Sequence, residues 1–252
     1  MMKRICRVIT LAAFAAIPAV ASAQPPLVMV FREKPPYSYV EQGRQKGFLL
    51  ERTRHIVEKA GLTATFEVLP TKRIFAELEA NQRPICTFGW YKNRDRERYA
   101  KFTQPIHLDR PHILLASSRS LPAIKPHKSL KSLLSDPSLT LAVVDGTSYG
   151  PELDAMIGRF AGRVEKGLVS PQLVARKVAG NRADFMFMDQ DDYEYLLATN
   201  SEFANEGLVR VEFPDLPPGL RRYILCSKSV DNDVIARLNG AIARLPLVDK
   251  TR

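Results

Sequence analysis

The chain has 252 residues, 45% of them apolar and 25% charged, with a formal net charge of +10. This composition excludes a disordered or fibrous chain and suits one large domain or two lobes of roughly 100 residues each. Lysine and arginine are spread along the sequence rather than bunched, so the charge reads as a solvated basic surface and not as a nucleic-acid footprint.

Lys3, Arg4 and Arg7 precede an apolar stretch from Val8 to Val20, and Ala21-Ser22-Ala23 is a small-residue cleavage pattern. Residues 1–23 therefore predict a cleaved export signal; a membrane anchor would need about 18 or more apolar residues. Its removal takes three of the 37 basic residues and none of the 27 acidic ones, leaving 34 against 27, a net charge of +7. It also removes Cys6 and leaves Cys86 and Cys226. Two cysteines in an oxidising compartment often pair, but the sequence alone does not bring these two together.

Leu27–Phe31 is a short apolar run that predicts a buried strand. A loop with two prolines and two tyrosines follows, from Arg32 to Gly47. Phe48 to Ala60 carries apolar residues at helical spacing, with Gly61 as the stop. Thr63 to Leu69 alternates and predicts a strand; Thr71 is the expected N-cap of a helix through Asn81; Pro84 to Tyr91 is a third strand. This β-α-β-α-β order predicts a mostly parallel sheet covered by helices. An extended segment from Ile106 to Ala116, interrupted by Pro111, precedes a second α/β unit. That unit has a short helix at Ser129 to Ser135, strands at Leu139 to Val144, Val164 to Val169 and Ala183 to Met188, and helices from Pro151 and Pro171. A last strand, Arg222 to Ser227, leads to a helix from Asp231 to Leu245. The fold class is α/β, with two lobes and a cleft.

Open α/β sheets bind ligands at the carboxyl ends of their strands, so the residues after each strand are the candidates. After the first strand, Tyr37 in a proline-stiffened loop offers a flat platform or simple loop packing. Trp90 and Tyr91 end the third strand beside a charged run containing Arg96; an arginine fork can hold a carboxylate, or the run can be a solvated helix start. Arg73, after the second strand, adds positive charge to the cleft or sits on a surface helix. Gly146-Thr147-Ser148 lies between a strand and a helix, where amides and hydroxyls suit an anion. Gly146 to Gly150 also matches the G-x-S-x-G of hydrolases. All four histidines (His55, His107, His112 and His127) precede Ser148, so that triad cannot be completed in its usual order. Asp189 ends a strand and is followed by Asp191 and Asp192, either an ammonium acceptor or an acidic helix start. These aspartates lack the rest of a calcium loop, and no zinc-spaced histidine and cysteine set is present. No Gly-rich phosphate motif occurs, so neither a metal nor a cofactor is expected.

The motifs in their order resemble the extracellular solute-binding proteins of family 3, which include polar amino-acid-binding proteins of ABC importers. Lys34-Pro35-Pro36-Tyr37-Ser38-Tyr39 with Gly47-Phe48 resembles the family's proline-aromatic loop. Asn93-Arg94-Asp95-Arg96 with Phe102-Thr103-Gln104-Pro105 is similar to its T-P-E-R and F-S-x-P segments. The resemblance implies a two-lobed periplasmic-binding-protein fold of type II, with two extended crossings and a ligand cleft. Lobe 1 would be 24–106 plus 222–252, and lobe 2 would be 107–221. It implies Arg96 as the clamp on a ligand α-carboxylate, Thr147 and Ser148 as further contacts to it, Asp189 as the ammonium acceptor, and Tyr37 and Trp90 as pocket walls. It puts Cys86 and Cys226 in one lobe, as a disulfide or as two buried thiols. It also implies a periplasmic monomer that catalyses nothing, with a small polar ligand and an importer permease as partners. The rivals are a cyclohexadienyl-dehydratase-like enzyme, with Glu33, His107 or Asp189 as acid or base, and a sensing module acting with a membrane partner. One departure stands out: Phe88-Gly89-Trp90-Tyr91 is bulky where the family often has small hydroxyl residues, and Asn93 replaces its threonine.

Overall fold

The computed structural model describes residues 25–168, 170–200 and 207–246; the expected export signal lies outside the described residues. Apolar runs long enough for a strand, each followed by an amphipathic stretch, fold as two separate five-stranded sheets. The first segment runs β1 (Leu27–Phe31), a hairpin of β2 (Tyr39–Glu41) and β3 (Arg44–Lys46), α1 (Phe48–Lys59), β4 (Ala64–Val68), α2 (Thr71–Ala80), β5 (Ile85–Tyr91), α3 (Arg94–Tyr99) and β6 (Ala100–Leu108). The second runs β7 (Ile113–Ser117), α4 (Leu121–Ile124), α5 (Leu130–Leu133), β8 (Thr140–Val144), α6 (Pro151–Ile157), β9 (Arg163–Leu168), α7 (Pro171–Ala179), β10 (Phe185–Met188), α8 (Gln190–Thr199) and β11 (Leu208–Val211). The chain then returns through β12 (Arg221–Ser227) and ends in α9 (Asn232–Ala243).

The first sheet has the order β4-β1-β5-β12-β6, and the second β11-β7-β10-β8-β9. Both are mixed rather than mostly parallel. In the first, β1 pairs in parallel with β4 and β5, while β12 is antiparallel to β5 and β6. In the second, β8 is parallel to β9 and β10, while β7 is antiparallel to β10 and β11. The returning strand is thus inserted into the first sheet, and the two lobes are joined by the crossings after β6 and before β12. Thr71 begins α2 rather than capping it: Pro70 holds the cap position, with no side-chain cap bond. No described helix is long and apolar enough to cross a membrane.

Each sheet buries both faces, because helices cover it on either side. In the first, Met29, Phe31, Cys86 and Phe88 pack with Leu49, Ile56 and Leu238 of α1 and α9. On the other face, Val30, Ile85 and Trp90 pack with Ile74 and Leu78 of α2. Trp90 breaks the alternation, because residues two apart should share a face and Phe88 lies on the other one. Gly89 causes the switch. It adopts φ 84°, and the β5–β12 register skips it, pairing Phe88 with Ile224 and Trp90 with Tyr223. This is a glycine bulge. It turns Trp90 onto α2 and leaves Tyr91 at the strand end facing the second lobe. Cys86 and Cys226 are register partners of β5 and β12 and form a disulfide, both fully buried.

Candidate functional site

A cleft of about 670 Å³ lies between the lobes, where the ends of β1, β5, β8 and β10 converge. Asp189 stands at its centre. Burial would raise its carboxyl, but Lys34 and Arg222 hold it well below the usual carboxylate range. Its Oδ2 accepts from Lys34 Nζ at 2.9 Å and Arg222 Nη2 at 3.1 Å; its Oδ1 lies 3.1 Å from His112 Nε2 and 3.3 Å from the Tyr91 hydroxyl. Lys34 reaches on to Asp192 at 2.7 Å. Arg222 pairs with Asp109 through Nε at 2.9 Å and Nη2 at 2.7 Å, and donates to the Gly89 carbonyl and the Tyr91 hydroxyl. Its guanidinium lies 4.4 Å from the Tyr37 ring centre and 4.5 Å from that of Tyr91. This network ties residues of the first sheet directly to α8 of the second.

Asp192 behaves oppositely to Asp189. Burial pushes its carboxyl up to about 6, and the neighbouring Asp189 charge adds to the rise against the pull of Lys34. A carboxyl raised in the folded state binds more protons there than in the unfolded chain, so its ionisation opposes folding. The native protein therefore loses this contribution as pH rises from 3.8 to about 6. Asp192→Asn removes the effect. Its melting temperature relative to the native protein is expected to rise across that window and stay level above it; a pH-independent difference would refute the assignment.

The remaining candidates divide. Arg96, Trp90, Tyr91, Thr147 and Ser148 line the cleft together with Asp189. Arg96 is 8% exposed, donates to the Tyr91 carbonyl at 2.7 Å, and lies over the rings of Phe75 and Trp90. Asn93 caps its short helix by accepting from the Arg96 amide, which accounts for the departure at that position. The Ser148 hydroxyl donates to Asp154 in the first turn of α6, so its proton is committed within the lobe. Tyr37 and Arg73 do not line the cleft. Tyr37 lies beneath it, 2% exposed, with its hydroxyl 3.4 Å from Asp191. Arg73 is exposed and paired with Glu77 one helical turn on. Arg32, Lys34, His112, Asp192 and Arg222 carried no site expectation from the sequence, although Arg32 and Lys34 directly follow β1 and the strand-end rule covers them.

Among the described residues, His107, Asp109 and Asp191 bring potential metal ligands within 4.8 Å of one another. A cation fits poorly there: Arg222 already neutralises Asp109, and Arg110 pairs with Asp191 at 2.9 Å. Of the acid or base candidates, Glu33 is exposed and accepts from the Val40 amide, and His107 is fully buried outside the cleft lining.

Solved structures share this fold at low identity. The arginine-, lysine-, histidine-binding protein ArtJ from Geobacillus stearothermophilus is 17% identical at a TM-score of 0.67, covering 87% of this chain and 88% of its own. A histidine kinase sensor domain with similarity to periplasmic binding proteins is 22% identical at 0.67, covering 88% and 90%. The ancestral amino acid-binding protein AncCDT-1, a precursor of cyclohexadienyl dehydratase, is 16% identical at 0.65, covering 86% and 88%. A comparison with curated proteins finds no match. The sequence profile of the bacterial extracellular solute-binding proteins, family 3, matches residues 27–247, and the chain belongs to that family.

Proposed function

We propose that the protein is a periplasmic substrate-binding protein that captures a small carboxylate-bearing solute by hinge closure and delivers it to the permease of an ABC-type importer, without catalysis. The observation that carries this reading is Arg96: a mostly buried guanidinium lining an interlobe cleft, with no carboxylate partner among the described residues. Burial pulls this guanidinium down from its ordinary value, so a bound carboxylate would restore what burial costs. Lobe 1 is taken as 24–106 plus 222–252 and lobe 2 as 107–221, with bending at the two crossings. The binding activities named for ArtJ and AncCDT-1 support the class of solute. The sensor-domain likeness supports a second reading, in which the loaded protein signals to a membrane partner. Asp189 is held ionised by its cationic neighbours, which makes it a poor proton donor and disfavours it as the acid of a dehydratase-like enzyme.

A thermal-shift screen of the protein purified from the periplasm tests the reading. A ligand at 100 times its Kd is expected to stabilise by about 2.7 kcal/mol, roughly 5–10 °C at this length. Arg96→Ala is expected to abolish the shift, since removing one partner of a buried charged pair costs about 2–5 kcal/mol. A ligand whose shift survives Arg96→Ala would refute the site.

A further inference from the structure

We infer that the cleft selects a small dicarboxylate that carries no ammonium group, because the chain's own Lys34 fills the place where a ligand ammonium would sit. The inference rests on the binding reading above and narrows it. An ammonium group needs a carboxylate with free acceptor positions. Asp189 has little to spare: Lys34, Arg222 and His112 already meet its two oxygens, and the Tyr91 hydroxyl, whose proton goes to Asp109, crowds Oδ1 at 3.3 Å. Lys34 Nζ also meets both oxygens of Asp192 and lies 4.4 Å from the centre of the Tyr37 ring. A carboxylate pair and an aromatic face are what an ammonium ligand would be given, and here a side chain from the β1 loop takes them.

The cations on the other side of the cleft are in the reverse situation. Arg32 lies 4.1 Å from the centre of the Trp90 ring, and Arg96 lies 5.3 Å from it. Among the described residues neither makes an ion pair. Burial and the nearby charge of Arg222 pull the Arg32 guanidinium down to about 10. The charges of Asp189 and Asp192 reach Arg32 only without a contact ion pair, so two guanidiniums gathered at one indole are costly unless the ligand brings a carboxylate into contact with them. A molecule with an acidic group at each end supplies one carboxylate to each arginine. An α-amino acid would add an ammonium ion to this positive field and find Asp189 and Asp192 already paired. Of the cleft's other acidic groups, Glu33 is exposed at the rim, which leaves Asp145 as the residue to test.

Isothermal titration at neutral pH with succinate, glutarate, L-glutamate and L-arginine decides the matter. Glutarate and L-glutamate share a skeleton and differ by the amine. The native protein is expected to bind succinate or glutarate, to bind L-glutamate at least about tenfold more weakly than glutarate, and to give no heat with L-arginine. Lys34→Met frees Asp189 and Asp192 from the lysine and is expected to shift the glutarate to L-glutamate preference by at least about tenfold toward the amino acid. Arg32→Gln is expected to cost the dicarboxylates more than it costs butyrate, which has one acidic group. Binding of L-glutamate or L-arginine at least as tight as glutarate, lost in Arg96→Ala, would overturn this inference and leave the binding reading standing; further loss in Asp145→Asn would place the ammonium on that residue. Silence from both dicarboxylates, with a different solute found in the broader screen, would likewise overturn it.

Discussion

Replacing Arg222 with methionine is expected to destabilise the protein by about 3–5 kcal/mol, the cost of leaving a buried charge without its partner. Arg222 side-chain exposure is 3%, and so is that of Asp109. The guanidinium holds Asp109 through two nitrogens and also reaches Asp189, the Gly89 carbonyl and the Tyr91 hydroxyl. Methionine fills much of the same volume and offers none of these donors. Asp189 keeps Lys34 and His112, but Asp109 keeps only its contacts with His107 and Tyr91. At this chain length the loss corresponds to a drop of roughly 6–20 °C in Tm. Arg222→Lys retains the charge but not the fork, and should recover only part of the loss. Arg222→Met combined with Asp109→Asn separates charge from packing: the double variant is expected to be more stable than Arg222→Met alone, a coupling that a double-mutant cycle reads directly. A single variant that melts with the native protein would remove the network from the account of stability.

The second large effect concerns the disulfide. Cys86 and Cys226 close a loop of 140 residues, and removing a native disulfide costs about 2–5 kcal/mol, with long loops near the upper end in the chain-entropy description. Both sulfurs are buried, so a reductant should act through the unfolded chain. Protein unfolded, reduced and refolded under reductant is therefore expected to melt well below the oxidised form, and Cys86→Ala with Cys226→Ala should match the reduced form. Thiol titration under denaturing conditions should find no free thiol in the oxidised exported protein. Coincident melts of the oxidised and reduced forms would show that strand pairing alone supplies this stability.

Much of the fold is written in local patterns. β1, β4, β8 and β10 are apolar or β-branched runs, and α1, α7 and α9 carry one apolar stripe, so their positions follow from period alone. β6 does not, because Pro105 interrupts its run. The structure tolerates that proline because β6 is an edge strand, where no ladder bond is lost on the outer side. The register shifts on either side of Tyr223, the partner of Pro105, absorb the irregularity. α8 was obscured by its acidic start. An acidic helix start is ordinarily solvated, yet Asp191 and Asp192 are each 5% exposed, because Arg110 and Lys34 reach in from outside the helix. At the site, single-residue placements after strands were legible for Arg96, Trp90 and Asp189. What the sequence hides is the pairing. Nothing local to Lys34 says that it lies against Asp189, 155 residues away, and that distant pairing is what changes the chemistry of the cleft. Gly89 is the exception that could have been read, since a glycine within a strand marks a bulge.

The position of β12 has a consequence for how the molecule is made. The second sheet is built wholly from β7 to β11, one uninterrupted stretch, whereas the first needs β12 between β5 and β6. As the chain emerges amino end first, β5 has no neighbour on its β12 side until the whole second lobe has been delivered. The lobe that begins the sequence is thus the last to be finished, and its unpaired edge is exposed to wrong partners for that interval.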